Sequence, residues 1–306
     1  MPFFQPNEQL EALGAAILGK TWNQFPQLAP NQIALTWIVY DSPVIVNTGG
    51  AIAAEEFWQY PVRGFSYRGV ETFEPGELVQ LFYLVALQDW LETNMINNSP
   101  EIDRALRNMT THSSHDATSL IVDILSGTTS GPQLAPEPFS TWQYQRNIVN
   151  RYYQSLGWEE LKGTNINQKT WSEGYYGRER DFVGPMLENC NRLTAHGIAR
   201  LFHSIIGGVA VSRARSQAMM HLLHRHLPTS HSYIASTLPP QSQLWSKTGQ
   251  TPIGYHEAAY IEIPQLSPYL LILVTQSQDP PQNQDLLPFL AQSILQAMPE
   301  VSPSSQ

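Results

Sequence analysis

The chain has 306 residues, 42% of them hydrophobic, enough for one large domain or two interleaved lobes around a sizeable core. It carries 17 lysines and arginines against 26 aspartates and glutamates, a net charge of −9 that repels phosphate backbones, and no basic run offsets it, so nucleic acid is not an expected partner. A single cysteine, Cys190, excludes an internal disulfide, no apolar run is long enough to span a bilayer, and the first residues lack the pattern of a secretory signal, so the expected location is the cytoplasm.

Residues 8–20 have the spacing of a helix. The β-branched and aromatic stretch 33–40 reads as a strand, turned by Asp41-Ser42-Pro43. Residues 64–69 read as a second short strand. From about 72 to 227 the pattern is mostly helical. Pro75-Gly76 starts a helix whose apolar stripe is Leu78, Leu81, Phe82 and Val85. Helices also follow over 117–125, 193–206 and 213–227. Between about 128 and 190 lies a segment rich in Gly, Pro, Asn, Trp and Tyr, with one expected helix over 139–156 and then a loop. Strands return at 243–249, 256–263 and 269–276. An amphipathic helix over 285–298 closes the pattern, and the polar tail 299–306 is expected to be disordered. This order predicts an α/β fold of the α+β type: an antiparallel sheet drawn from both chain ends, flanked by terminal helices, with an all-helical lobe inserted. The sheet lobe takes residues 1–70 and 228–306, and the helical lobe 71–227.

Lysine is scarce, occurring only at Lys20, Lys162, Lys169 and Lys247, so a lysine within a motif carries weight. Ser246-Lys247-Thr248-Gly249 ends one predicted strand, and another follows closely. Such a strand fixes a cation and a hydroxyl where a substrate carboxylate would sit, and the glycine admits a close backbone approach. Upstream, Phe73-Glu74-Pro75-Gly76-Glu77-Leu78-Val79-Gln80 opens an apolar helix, and Ser113-Ser114-His115 precedes another.

In this order the chain resembles the β-lactamase-related serine hydrolases, the superfamily of class A β-lactamases and penicillin-binding proteins, over roughly residues 10 to 297. The segments 141–147, 167–171 and 177–182 resemble an intracellular-looking branch of it. The resemblance implies a serine nucleophile and a helix lysine at the start of the buried helix; here Glu77 and Gln80 stand in those places. The family's Ser-x-Asn signature falls on Ser113 and His115, with the asparagine replaced. Its Lys-Thr-Gly signature, Lys247, Thr248 and Gly249, is intact and implies, with Ser113, a site for a ligand carboxylate. The water-activating loop glutamate of the lactamases has a candidate in Glu188. Catalytic residues act as a unit. The expected function is therefore a non-catalytic pseudoenzyme, an intracellular binding or scaffold protein that holds a protein or small molecule in the old cleft without a cofactor. Glu77, at a helix N-terminus, is expected to ion-pair with Lys247 and fill the oxyanion pocket. A hydrolase or amidase with a rebuilt site using Glu77, His115, Ser113 and Lys247 stays open. So does a purely structural subunit, which requires a large apolar patch.

Three further groups stand out. His221, His224, His226 and His231 have spacings that can suit a metal, but the favoured reading is a polar helix face. His112 and His115 could couple to Glu77 as acid and base. Over 142–182, Trp142, Tyr144, Tyr152, Tyr153, Trp158, Trp171, Tyr175, Tyr176 and Phe182 interleave with Arg146, Arg151, Arg178 and Arg180. Packing of a long loop is the favoured reading there, with a planar or anionic ligand or an interface as the other.

Overall fold

The structure, a computed structural model, describes residues 3–41, 53–228, 232–276 and 280–302. Both chain ends feed one seven-stranded sheet. β1 (Phe4–Pro6), β2 (Ile33–Val39) and β3 (Val62–Tyr67) come first in the chain. β4 (Thr72–Phe73) and β5 (Leu193–Thr194) form a separate two-stranded pair. β6 (His224–Arg225), β7 (Gln243–Thr251), β8 (Gly254–Glu262) and β9 (Tyr269–Thr275) complete the large sheet, in the order β1-β3-β2-β9-β8-β7-β6. All its neighbours pair antiparallel except β1 and β3, which run parallel, so the expected antiparallel sheet is corrected at its first strand.

The central strands read as nearly continuous apolar runs because both of their faces are covered. On β9, Leu270, Ile272 and Val274 join one core, and Tyr269, Leu271 and Leu273 join the other. The alternation is that of a pleated strand. The second core lies under α1 (Glu8–Gln24) and α11 (Pro280–Val301). The first lies under α3 (Gln80–Glu92) and α9 (Ala195–Ile206), with α2 (Ala54–Phe57) adding Phe57.

Several boundaries differ from the expected ones. β3 ends at Tyr67, because Arg68 takes a left-handed φ of 54°. The helix expected over 139–156 is two, α6 (Pro136–Arg146) and α7 (Ile148–Ser155). They break at Asn147, whose Oδ1 accepts from Asn150 and from Asn167 of the following loop. The helix expected to reach 227 ends at Leu223, as α10 (Arg213–Leu223), because His224 and Arg225 leave it to pair with Trp245 and Leu244. α11 runs to Val301, so the first residues of the expected tail are helical. Residues 303–306, His231, and Ser42 and Pro43 of the expected turn lie outside the described residues.

His224 sits on a strand, so it shares no helix face with His221. Its Nε2 meets Gln243 Oε1 at 3.1 Å. Among the described residues no group of three His, Cys, Asp or Glu side chains could hold a metal ion, and no helix is long and apolar enough to cross a membrane.

The Trp- and Tyr-rich segment is tied down by buried charge. Arg146 donates to Glu179 Oε1 at 2.6 Å and to Asp123 Oδ1 at 3.2 Å. Lys169 Nζ donates to Asp123 Oδ2 at 2.8 Å and to Ser130 Oγ at 2.7 Å. These bonds join α5 (His115–Ser126), α6, the loop around 169 and α8 (Gly177–Val183). Arg146 lies 4.8 Å over the Trp142 ring, and Arg151 lies 4.0 Å over Tyr144. The segment packs on its own body, leaving Tyr144 and Tyr176 exposed.

Candidate functional site

α3 is entered through a 3₁₀ turn, Gly76–Val79, that presses on β7. Gly76 has φ +52°, and a Cβ there would lie 2.4 Å from Gln250 O. A Cβ on Gly249 would lie 2.4 Å from Pro75 O and 2.9 Å from Leu78 N. The close approach expected of a substrate at Gly249 is therefore taken by the chain itself. Gly249→Ala is expected to push the turn off the strand and lower stability by about 1–3 kcal/mol, the usual range for overpacking. An unchanged urea midpoint would refute that packing.

Opposite the turn, α4 (Pro100–His112) and α5 meet at an elbow. α4 starts on a Ser99 cap with Pro100 in its first turn and ends at Ser113, φ 54° and ψ 29°. Ser114 then caps α5 by accepting from the Ala117 N–H at 3.2 Å. One left-handed residue thus turns the chain, with Ser113 on one side of Ser114 and His115 on the other.

These two side chains divide the site. Ser113 Oγ accepts from Lys247 Nζ at 2.6 Å. His115 Nε2 meets Glu77 Oε1 at 2.8 Å. The direct Glu77–Lys247 ion pair expected from charge does not form. The other oxygen of Glu77, Oε2, accepts from the Gln250 N–H at 2.8 Å, and Lys247 instead donates to Ser113 and to Thr248 O. The two groups still sense each other's charge. Burial raises the Glu77 pKa, but the bonds from His115 and the Gln250 N–H, the charge of Lys247 and the residue's own N–H outweigh it. The carboxyl ends below its ordinary range. Gln80, 1% exposed, donates from Nε2 to Thr118 Oγ1 at 2.8 Å and so ties α3 to α5.

Lys247 is 2% exposed, and burial pushes its pKa down to about 7, against a partial lift from Glu77. Arg225 is buried beside it and lowered to about 10, again chiefly by burial. Among the described residues neither cation has a carboxylate in ion-pair contact. Since the folded pKa of Lys247 lies below its unfolded value, the unfolded chain holds the extra proton between about pH 7 and 10.5. Stability is then expected to rise with pH through that window, by up to about 1.4 kcal/mol per unit. Urea unfolding at about pH 8 and about pH 10 reads this; Lys247→Met should flatten the rise, and a slope unchanged by that variant would rule the lysine out as its source.

Two cavities flank the pair of contacts. A cleft of about 220 Å³ is lined by Glu74, Glu77, His115, Lys169, Trp171 and Tyr175, among others. A pocket of about 190 Å³ is lined by His112, Ser113, Arg225, Tyr233, Lys247 and Thr248, together with Thr110 and Thr111. His112 thus lies with the cations and not with Glu77. Glu188 is exposed on a loop, bonded to the Met186 N–H at 2.8 Å, and the carboxylates lining the cleft are Glu74 and Glu77. Sequence reasoning missed two residues. Arg225 is marked only by following the apolar stripe of α10 directly, and nothing marks Ser172, whose Oγ lies 3.0 Å from His115 Nδ1.

A family profile described as the β-lactamase enzyme family matches residues 97–298. No curated protein matches the chain. Among solved structures, PBP-A is similar over 97% of this chain and 98% of its own, with a TM-score of 0.64 at 15% identity. A β-lactamase from Sphaerobacter thermophilus covers 94% and 99%, with a TM-score of 0.65 at 13% identity. A class A β-lactamase from Mycobacterium abscessus covers 94% and 98%, with a TM-score of 0.62 at 13% identity. At these identities the likeness is one of fold.

Proposed function

The chain belongs to the β-lactamase enzyme family, and from that premise we propose that it is a pseudoenzyme for the family's chemistry: it binds an anion-bearing ligand in the old cleft and carries out no acyl transfer at the start of α3. The pose of Glu77 carries this reading. Acyl transfer needs backbone N–H groups left open for a developing oxyanion. Here the N–H of Gln250 and that of Glu77 itself already donate to a resident, ionised carboxylate. A second negative charge there is repelled. Gln80 is neutral and engaged with Thr118, so position 80 supplies no lysine base to position 77.

The binding half of the site supports the rest. Lys247 and Arg225 are desolvated cations facing one pocket, with the hydroxyls of Ser113, Thr248 and Tyr233 around them. A carboxylate from a small molecule or a protein chain end would compensate both charges and accept from the hydroxyls. With Cys190 as its one cysteine, the fold needs no oxidising compartment, which agrees with a cytoplasmic protein. The test is intact mass after incubation with a reactive β-lactam. The mass is expected to stay unchanged, and an adduct at any residue would overturn the reading.

One observation favours a second reading, a hydrolase with a rebuilt site using Glu77, His115, Ser113 and Lys247. Glu77 and His115 are hydrogen-bonded as a carboxylate–imidazole couple, the usual apparatus for moving a proton.

A further inference from the structure

Resting on that second reading, we infer that Ser172 is the nucleophile of a hydrolytic triad with His115 and Glu77, acting on small carboxylic esters that enter the cleft. Three side chains from three separate segments form one hydrogen-bonded chain. Glu77 Oε1 lies 2.8 Å from His115 Nε2, and His115 Nδ1 lies 3.0 Å from Ser172 Oγ. With its proton on Nε2, the ring donates to Glu77 and its Nδ1 is free to accept from the serine hydroxyl. Glu77 holds the ring in that tautomer, as a third group does in other activated serines. It is a positioning residue and does not touch the ester.

The surroundings suit the role. Ser172 is exposed, while Glu77, His115, Trp171 and Gly174 line the cleft beside it. The loop is held in place by Lys169 on one side and by the Trp171 ring, 6.2 Å from Tyr175 and 6.1 Å from Tyr176, on the other. Gly174 has φ +103°, and among the described residues the N–H groups of Glu173 and Gly174 donate to no protein acceptor. They follow the nucleophile directly and are available to an oxyanion. This matters because Glu77 occupies the Gln250 N–H.

In the step, Ser172 Oγ forms a bond to the ester carbonyl carbon as its proton passes to His115 Nδ1. The tetrahedral oxyanion collapses, the bond to the alcohol breaks, and the alcohol leaves with the proton from Nδ1. Water, giving a proton to the same nitrogen, then attacks the acyl-serine. The carboxylic acid departs, and the proton returns to Ser172. No oxidant or metal enters the balance.

The experiment exposes the full chain to a fluorophosphonate and reads intact mass and the modified peptide. One adduct mapped to Ser172 is expected, absent in Ser172→Ala and formed about 10²–10⁴-fold more slowly in His115→Ala. Glu77→Gln keeps the side chain's size but not its charge and is expected to slow labelling by about 10²-fold, and Glu77→Asp, which keeps the carboxylate, is expected to restore part of that rate; a merely structural Glu77 would be replaced by glutamine without that loss. Ser172→Ala changes only an exposed loop side chain, so it keeps the fold. An adduct on a different residue overturns Ser172 as nucleophile and leaves the rebuilt hydrolase standing. No adduct on the wild type overturns both.

Discussion

The Glu77→Ser/Gln80→Lys double variant is expected to gain the mass of one β-lactam acyl group under conditions in which the wild type gains none. Serine at 77 withdraws the carboxylate from the N–H of Gln250, so the donors become available to an oxyanion. Lysine at 80 enters a position only 1% exposed, where desolvation pushes an ammonium towards its neutral, basic form. The anion pocket with Lys247 and Arg225 is untouched and can still hold the substrate carboxylate. Glu77→Ser alone has the nucleophile and the donors without the adjacent base, and its acylation should be slower by about 10²–10⁴. Mass spectrometry after timed exposure separates the three chains. An inert but folded double variant would mean that the turn pressed against Gly249 closes the cleft in a way Glu77 does not account for.

Glu179→Ala carries the largest expected loss of stability, about 3–5 kcal/mol, the range for removing one partner of a buried ion pair. Arg146 and Glu179 have fully buried side chains 2.6 Å apart, and Lys169 stands 3.9 Å from the same carboxylate. Without Glu179, the two cations share Asp123 alone. Asp123 is 22% exposed, so water relieves part of its loss and Asp123→Ala should cost less. Urea unfolding of both variants gives the comparison. Equal losses, or a Glu179→Ala loss under about 1 kcal/mol, would place water inside the network.

Much of this architecture is legible in the residues. β2, β8 and β9 announce themselves by β-branched and aromatic runs, and α3 by its stripe from Leu78. The start of α4 is marked by Ser99-Pro100-Glu101 and its face by Ile102, Ala105, Leu106 and Met109 at helical spacing, but Asp103, Arg104 and Arg107 on the other faces make the segment polar on average, so it does not stand out as the apolar runs do. The break at Asn147 depends on bonds to a distant loop, which no local pattern carries. That Glu77, Ser113, His115 and Lys247 lie together was legible too. Their pairing was legible only in part, since the Glu77–His115 couple was among the expected contacts and the Lys247–Ser113 bond was not. Charge alone matches Glu77 with Lys247, whereas the left-handed Ser113 gives the lysine a serine and the carboxylate a histidine. Ser172 becomes visible only once a loop folds back on α5.

The register of β2 against β9 sets Ile33 opposite Thr275 and Val39 opposite Tyr269. During synthesis, β3 can cover one edge of β2 early, but the other edge waits until residues beyond 269 leave the ribosome. Local helix pairs such as α4 with α5 need no such wait. All seven residues of β2 are buried in the finished sheet, so the waiting edge belongs to a strand with no solvent-compatible face. Such an edge is a template for pairing with other chains. Until the last strand of this protein arrives, its own sheet is open to a stranger's.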